Sequence, residues 1–308
     1  MSFIILLAAL GVAQPPATEL ETRVRALIAQ SGAEVAVAYR TLDGKSALLI
    51  DADKTFHAAS TMKVPVMIEL FRQAEAGMVK LDDTLLIRNE FRSIVDGSPY
   101  KLSEGDDSDL EVYASIGKPM TLRRLNELMI TVSSNFATNL LIEKLGVENI
   151  RATVTKLGAD GMKVLRGVED SKAFEKGLNN ATTARALLVL FEKIGQGKAV
   201  SAAADKEMLE ILKRQKFNDG IPAGLPKGTA VAHKTGTITR IHHDGGIVLG
   251  AKPYVLVILV RGIQDQKVSG PLMAAISKAV WEDSSQPSAV SFQPLVKSYR
   301  LKSKAGSQ

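Results

Sequence analysis

The sequence predicts an α+β fold, an α/β sandwich joined to a helical lobe. Two observations predict it. Strand-like segments lie near both ends of the chain, and the long middle carries helical periodicity. A single sheet must then be built from distant parts of the chain, with the central block set apart from it. We place the sheet layer in 18–56 and 198–283, the helical lobe in 57–197, and a C-terminal tail in 284–308.

The elements follow in order. Leu20, Val24, Leu27 and Ile28 recur at helical spacing, so 19–31 is a helix. Residues 34–39 and 47–50 are strands, joined by the turn Leu42-Asp43-Gly44-Lys45. A helix over 61–76 starts just after Ser60, with Pro65 close enough to its start to be tolerated. The stretch 89–118 is rich in Gly, Ser and Asp and reads as an irregular excursion. Helices follow over 122–132, 136–145, 147–157, 182–194 and 202–215, and Gly146 and Gly158 close two of them as C-terminal caps. Strand signal returns only at 230–234, 246–250 and 254–260, before a last helix over 268–281.

Composition excludes several chemistries. The 308 residues are 45% apolar and 23% charged, which suits a folded chain with a sizeable core. The net charge is +6, but Lys and Arg alternate with Asp and Glu everywhere except the run Lys297, Arg300, Lys302, Lys304. No nucleic-acid-reading module is visible, so nucleic acid is not an expected partner. A diffuse basic surface suits an anionic small molecule or a cell-wall polymer. There is no cysteine, which rules out disulfides and thiol catalysis. His57, His233, His242 and His243 form no spaced metal motif, and no metal or organic cofactor is expected. His242 and His243 are adjacent, so on a strand they point to opposite faces. The apolar run 1–13, ending in small residues, reads as a signal peptide cut before Gln14, although its start lacks a Lys or Arg. It is too short to span a bilayer comfortably. The mature chain is expected outside the cytoplasm, secreted or periplasmic, as a monomer with no stable membrane insertion.

Three short motifs carry the chemistry. Ser60-Thr61-Met62-Lys63 puts a hydroxyl and an amine on one face of a helix start. The amine serves as a base when desolvation or a nearby cation lowers its proton affinity. Free N–H groups at the helix tip suit an oxyanion. Taken alone the pair is weak, because it arises about once by chance in a chain of this size; an N-cap serine is the ordinary alternative. Ser133-Ser134-Asn135 sits between two helices, where a hydroxyl can relay a proton and an amide can bind a carbonyl. Lys234-Thr235-Gly236-Thr237 ends a strand. There Gly236 admits a ligand close to the backbone, Lys234 supplies charge, and Thr235 and Thr237 supply hydroxyls.

The order and placement of these motifs resemble the serine β-lactamase and penicillin-binding protein superfamily, and class A β-lactamases in particular, from about Leu20 to Asp283. The resemblance implies a five-stranded antiparallel sheet flanked by helices plus an all-helical domain. It implies a β-lactam substrate, with Ser60 as nucleophile and with Lys63, or Glu169 through a water, as base. It implies Ser133 and Lys234 in proton delivery to the lactam nitrogen. Asn135, Thr235, Gly236 and Thr237 would contact substrate, with the N–H groups of Ser60 and Thr237 as oxyanion donors. Glu169, in Arg166-Gly167-Val168-Glu169-Asp170, is the implied deacylation base, with Asp170 as substitute. The chain departs from the family at several places. Ser134 replaces the usual aspartate. The stretch 89–118 is long. Arg166 is one position further from the glutamate than usual, and Asn180 stands where an aspartate normally pairs with that arginine. Ala173 replaces an asparagine near the water. The usual substrate-carboxylate arginine is absent from Gly245-Gly246-Ile247-Val248, and Arg240 is the nominated substitute ahead of His242 or His243. A D-alanyl-D-alanine peptidase, a penicillin-binding protein or esterase on the same scaffold, and a non-catalytic cell-wall or antibiotic-binding module remain the alternatives.

Overall fold

A computed structural model describes residues 18–285. Five strands form one antiparallel sheet: β1 (Glu34–Thr41), β2 (Ala47–Ile50), β3 (Val231–Ile238), β4 (Ile241–Val248) and β5 (Tyr254–Arg261). Their spatial order is β2-β1-β5-β4-β3, so the first and last parts of the chain meet at the β1–β5 pairing, with Val37 opposite Ile258. This is the α+β architecture expected from the distribution of strands along the sequence.

Both faces of the sheet are buried, and side-chain alternation divides β1 between them. Val35, Val37 and Tyr39 face a core shared with α1 (Glu19–Ser31) and the C-terminal helix Gln266–Ser285. Ala36 and Ala38 face the other core, which continues into the helical block. Small residues on that side let a helix lie close. A Cβ on Gly245 would approach the Phe191 ring at 3.3 Å, and Phe191 belongs to the helix Ala184–Gly195. Among the described residues, no helix is long and apolar enough to cross a membrane.

Side-chain caps start some helices of the central block but not α2 (Lys63–Glu75), whose N-cap Met62 makes no cap hydrogen bond. α2 is preceded by a 3-10 turn, Ala59–Met62, so Ser60 lies in that turn rather than at the tip of a regular helix. α3 (Leu122–Thr131) and α4 (Asn135–Leu145) are capped by the hydroxyls of Thr121 and Ser134. α5 (Val147–Lys156) follows α4 directly, and Gly146 between them has φ +81°. The side chain of Glu69, on α2, is fully buried. It accepts from Arg72 at two nitrogens (2.7 Å each), from Gln73 (2.7 Å) and from the Thr153 hydroxyl (2.6 Å). This cluster ties α2, which carries Lys63, to α5.

Three expectations need correction. β4 starts at Ile241, not at 246, because His242, His243 and Asp244 are strand residues whose polar groups are satisfied inside the fold. The tight turn before it runs through Arg240 in the left-handed region (φ 59°). The stretch 89–118 is less irregular than its composition suggests: Phe91–Arg92 pairs with Pro99–Tyr100, and Glu111–Ala114 is a helical turn. The last helix begins at Gln266 and includes Ser284 and Ser285, where a tail was expected. The segment 1–13, expected to be a signal peptide, and the remainder of the expected tail lie outside the described residues.

Glu69→Ala leaves Arg72, Gln73 and Thr153 without their common acceptor. The variant should lose about 2–4 kcal/mol of stability, read as a lower urea midpoint with an unchanged slope.

Candidate active site

Ser60 is delivered by a strap tied to the loop facing it. Phe56 and His57 pair with Thr182 and Ala181, and the Ala58 N–H donates to the Asn180 carbonyl at 2.9 Å. Ala59 then adopts φ 45° while its N–H donates to His57 Nδ1 at 3.0 Å. The chain turns sharply there and presents Ser60, half-buried, at the mouth of the cleft. β3 runs directly behind it. A Cβ on Gly236 would lie 3.1 Å from the backbone nitrogens of both Ser60 and Thr61, so a side chain here would push the strand and the Ser60 turn apart by a few tenths of an ångström.

Two lysines converge on one hydroxyl. Lys63 Nζ donates to the Ser133 carbonyl (2.6 Å), to Ser133 Oγ (3.2 Å) and to Asn135 Oδ1 (2.8 Å). Lys234 Nζ donates to the same Ser133 Oγ at 3.0 Å and to the Thr235 carbonyl at 3.0 Å. Both lysine side chains are fully buried. Burial pulls Lys63 down to about 7, against the opposing pull of Asp107 and Glu169. Lys234 is lowered by burial and by the nearby charge of Lys63. A serine hydroxyl has two lone pairs and one proton. With both lone pairs of Ser133 met by lysine N–H donors, its proton is the part left to donate elsewhere. Ser133 holds φ 61°, a strained setting for a non-glycine residue.

Glu169 faces this group from the opposite wall. Its Oε1 accepts from Asn135 Nδ2 at 2.6 Å, so Asn135 links the carboxylate to Lys63. Burial pushes Glu169 up from its ordinary value, against the hydrogen bond from Asn135. The preceding residue is clamped by Asn139, whose Oδ1 accepts from the Val168 N–H (2.7 Å) and whose Nδ2 donates to the Val168 carbonyl (3.0 Å). Glu169 itself has φ 62°, which redirects the chain straight after the clamp. Asp170 is not at the cleft's chemical centre. It caps the short helix Ser171–Glu175 and accepts from the Ser93 hydroxyl (2.9 Å) and the Ile94 N–H (3.0 Å). Ala173 is fully buried in that helix.

At the base of this loop Asn180 does not pair with the Arg166 guanidinium. Asn180 Oδ1 accepts from the backbone N–H groups of Leu165 (2.8 Å) and Arg166 (3.2 Å), and Asn179 Oδ1 accepts from the guanidinium at 3.1 Å. An amide can bridge the backbone in both directions, as Asn180 does by donating to the Arg166 carbonyl at 3.0 Å. A carboxylate cannot.

Two cavities of about 490 and 280 Å³ share Ser60, Asp106, Asn135 and Thr237 in their walls. The larger also holds Glu169, with the exposed side chains of Phe174 and Ile238 at its edge. The smaller holds Ser133, Thr235, His242 and Asp219. The structure thus brings Ser60, Ser133, Asn135, Glu169, Thr235 and Thr237 around one cleft, with Lys63 and Lys234 behind it. Arg240 is not brought there: it is exposed, and its guanidinium donates to the Gly262 carbonyl at 3.2 Å. His242 lies in the smaller cavity, and its Nδ1 is 2.8 Å from the Ser269 hydroxyl. His243 points through the opposite face, with Nε2 3.0 Å from the His57 carbonyl, and burial lowers it to about 4. Sequence reasoning missed Asp107 and Asn139. Among the described residues, no three of His, Asp and Glu form a metal cage.

Comparison with known proteins finds relatives along most of the chain. A β-lactamase of Citrobacter koseri is 27% identical over 272 residues, covering 86% of this chain and 88% of that protein. A point mutant of PBP-A, solved as an acyl-enzyme complex with penicillin G, is 27% identical with a TM-score of 0.73, covering 86% of this chain and 95% of the other. The crystal structure of a β-lactamase from Sphaerobacter thermophilus superposes with a TM-score of 0.75 at 23% identity, over 85% of this chain and 97% of the other, a likeness of fold. Residues 19–283 match the model of the β-lactamase enzyme family, and the chain belongs to that family.

Proposed function

We propose that the protein is a class A serine β-lactamase that opens the lactam amide through an acyl-enzyme on Ser60. The observation that carries this reading is the Ser133 hydroxyl held between Lys63 and Lys234, at a cleft that Ser60 shares with Glu169. Ser60 Oγ adds to the lactam carbonyl carbon and gives its proton to Lys63 in the free-amine form. The oxyanion is met by the N–H groups of Ser60 and Thr237. Ser133 passes its proton to the lactam nitrogen as the C–N bond breaks, and Lys63 restores that proton to Ser133. Lys234 stabilises the developing negative charge. A water then adds to the ester and yields its proton to Glu169; the ester C–O bond breaks, Ser60 regains a proton, and the ring-opened acid leaves. The elevated proton affinity of Glu169 suits this step.

The same reading covers the remainder of the molecule. Residues 57–197 form the helical domain and 18–56 with 198–283 the sandwich domain, so the cleft is interdomain. The enzyme acts after export, as a monomer, without a cofactor. His242 and Lys234, rather than Arg240, meet the substrate carboxylate, because they line or back the smaller cavity and Arg240 does neither.

Three outcomes test the proposal. Glu169→Gln should acylate normally with nitrocefin and lose deacylation by about 100-fold or more, leaving a stable adduct by intact-protein mass spectrometry. Equal turnover in both proteins removes Glu169 from its role, whereas a persistent adduct on the wild type as well assigns the chain to the penicillin-binding side of the family. Protonated Lys63 cannot take the Ser60 proton, so the single-turnover acylation rate should fall as pH drops below about 7. A flat profile from pH 5 to 8 removes Lys63 as the base. Arg240→Ala should change KM by less than about 2-fold, as expected for an exposed charge, while His242→Ala raises KM more than it lowers kcat.

A further inference from the structure

The Ser133-Ser134-Asn135 turn carries no acidic residue, yet a carboxylate sits on it. Asp107, at the end of the 3-10 turn Glu104–Asp106, accepts from the Asn135 N–H at 3.0 Å and from the Phe136 N–H at 2.9 Å, and it lies 3.4 Å from the Ser134 hydroxyl. These contacts complete the start of α4. The first four N–H groups of a helix have no partner within it. Here Asp107 takes the first two, Ser134 Oγ takes Ala137 at 3.2 Å, and the Ser134 carbonyl takes Thr138 at 3.3 Å. The turn is thus fixed from a segment more than two dozen residues upstream in the chain. We propose that Asp107 is a positioning residue of this active site, holding the Ser133-Ser134-Asn135 turn in the register from which Ser133 and Asn135 reach Lys63.

The placement has two consequences. Asn135 leaves Asp107 with its backbone fixed, so its side chain spans Lys63 on one side and Glu169 on the other, and its Nδ2 also donates to the Asp106 carbonyl at 3.3 Å. The carboxylate is also a charge beside the catalytic groups. Three charged groups face Lys63: Asp107 and Glu169 favour its ammonium form, and Lys234 disfavours it. Asp106, Asp107 and Lys63 in turn face Glu169. Removing the charge of Asp107 therefore makes both Lys63 and Glu169 give up protons more readily. The segment carrying Asp107 is itself pinned, with the Tyr113 hydroxyl donating to the Ser103 carbonyl at 3.0 Å and the Tyr113 ring packed on Phe136 at 4.8 Å between centroids.

This inference rests on the β-lactamase reading for its kinetic arm only. Asp107→Asn keeps an acceptor oxygen and loses the charge. In the free protein, amide exchange at Asn135 and Phe136 should quicken at least about 10-fold, and the Lys63 side-chain titration followed by NMR should move to lower pH. In single-turnover acylation by nitrocefin, the rate at pH 8 should fall about 10-fold, and the acidic limb should move to lower pH. The urea midpoint should stay close to wild type. A double variant, Asp107→Asn with Ser134→Asp, returns a carboxylate to the turn and should recover most of the rate. Unchanged exchange at both amides and an unmoved Lys63 titration overturn the proposal. So does a lost rate that simply follows a lost urea midpoint and is not recovered in the double variant. A wild type that never forms an adduct removes the β-lactamase reading, and the NMR arm still decides the role of Asp107.

Discussion

Two ammonium groups are buried against a single hydroxyl, and much of the structure follows from keeping them there. Among the described residues, neither Lys63 nor Lys234 has a carboxylate within ion-pair distance; their partners are a serine, an asparagine and carbonyl oxygens. A buried cation without a counter-charge is unstable unless it sheds its proton or is given dipoles to replace water. Lys63 is held near the point of shedding it, because Asp107 and Glu169 act at a distance while desolvation acts directly. An ordinary surface ion pair would keep the amine charged and useless as a base. The site therefore needs polar atoms at fixed positions, delivered by α2, α4 and β3 together.

That need accounts for three of the five places, among the described residues, where a non-glycine residue holds positive φ. Ala59, Ser133 and Glu169 all sit at positive φ, and all three border the cleft. Each costs of order 1–3 kcal/mol, offset by the packing around them. Ala59 turns the strap so that Ser60 emerges beside Gly236. Ser133 turns the α3–α4 junction so that its carbonyl and hydroxyl both meet Lys63. Glu169 turns the loop outward from the Asn139 clamp toward Asn135. Strain at these points lets one wall be built from three distant pieces of chain.

The sequence made the frame legible and left much of the wall unread. Helices showed through the 3.6-residue spacing of their apolar residues, and β1 and β5 through their apolar runs, because those patterns record burial directly. The order of the three motifs located Ser60, Lys63, Ser133, Asn135 and Lys234. The residues that were misjudged are those whose environment contradicts their type. His242, His243 and Asp244 look like a polar turn but lie inside β4, where His242 Nδ1, His243 Nε2 and the Asp244 carboxylate meet partners remote in sequence. Arg240 carries the right charge but sits on the wrong side of its turn. Asn179 rather than Asn180 meets the guanidinium, a choice set by which side chain faces inward at the loop's base. Asp107 left no mark because a polar stretch without periodicity gives no register from which to infer what it caps.

The loop and the turn show one principle at work twice. A residue type missing from its usual place is supplied by a neighbour in space, provided the atom arrives at the same position. At the turn, Ser134 cannot hold the first N–H groups of α4, and Asp107 reaches across to do so. On the loop, the residue that Asn139 clamps through its backbone is Val168, whose side chain has no acid to offer; the carboxylate comes one residue later, swung into reach of Asn135 by the left-handed turn at Glu169. In both cases an oxygen that reaches the surroundings of Lys63 comes from a residue that the three-motif pattern does not name. What sets the state of Lys63 is the set of dipoles and charges within hydrogen-bonding or coulombic reach of its amine. The chemistry tolerates a change in which residue supplies an oxygen far better than a change in where that oxygen lies.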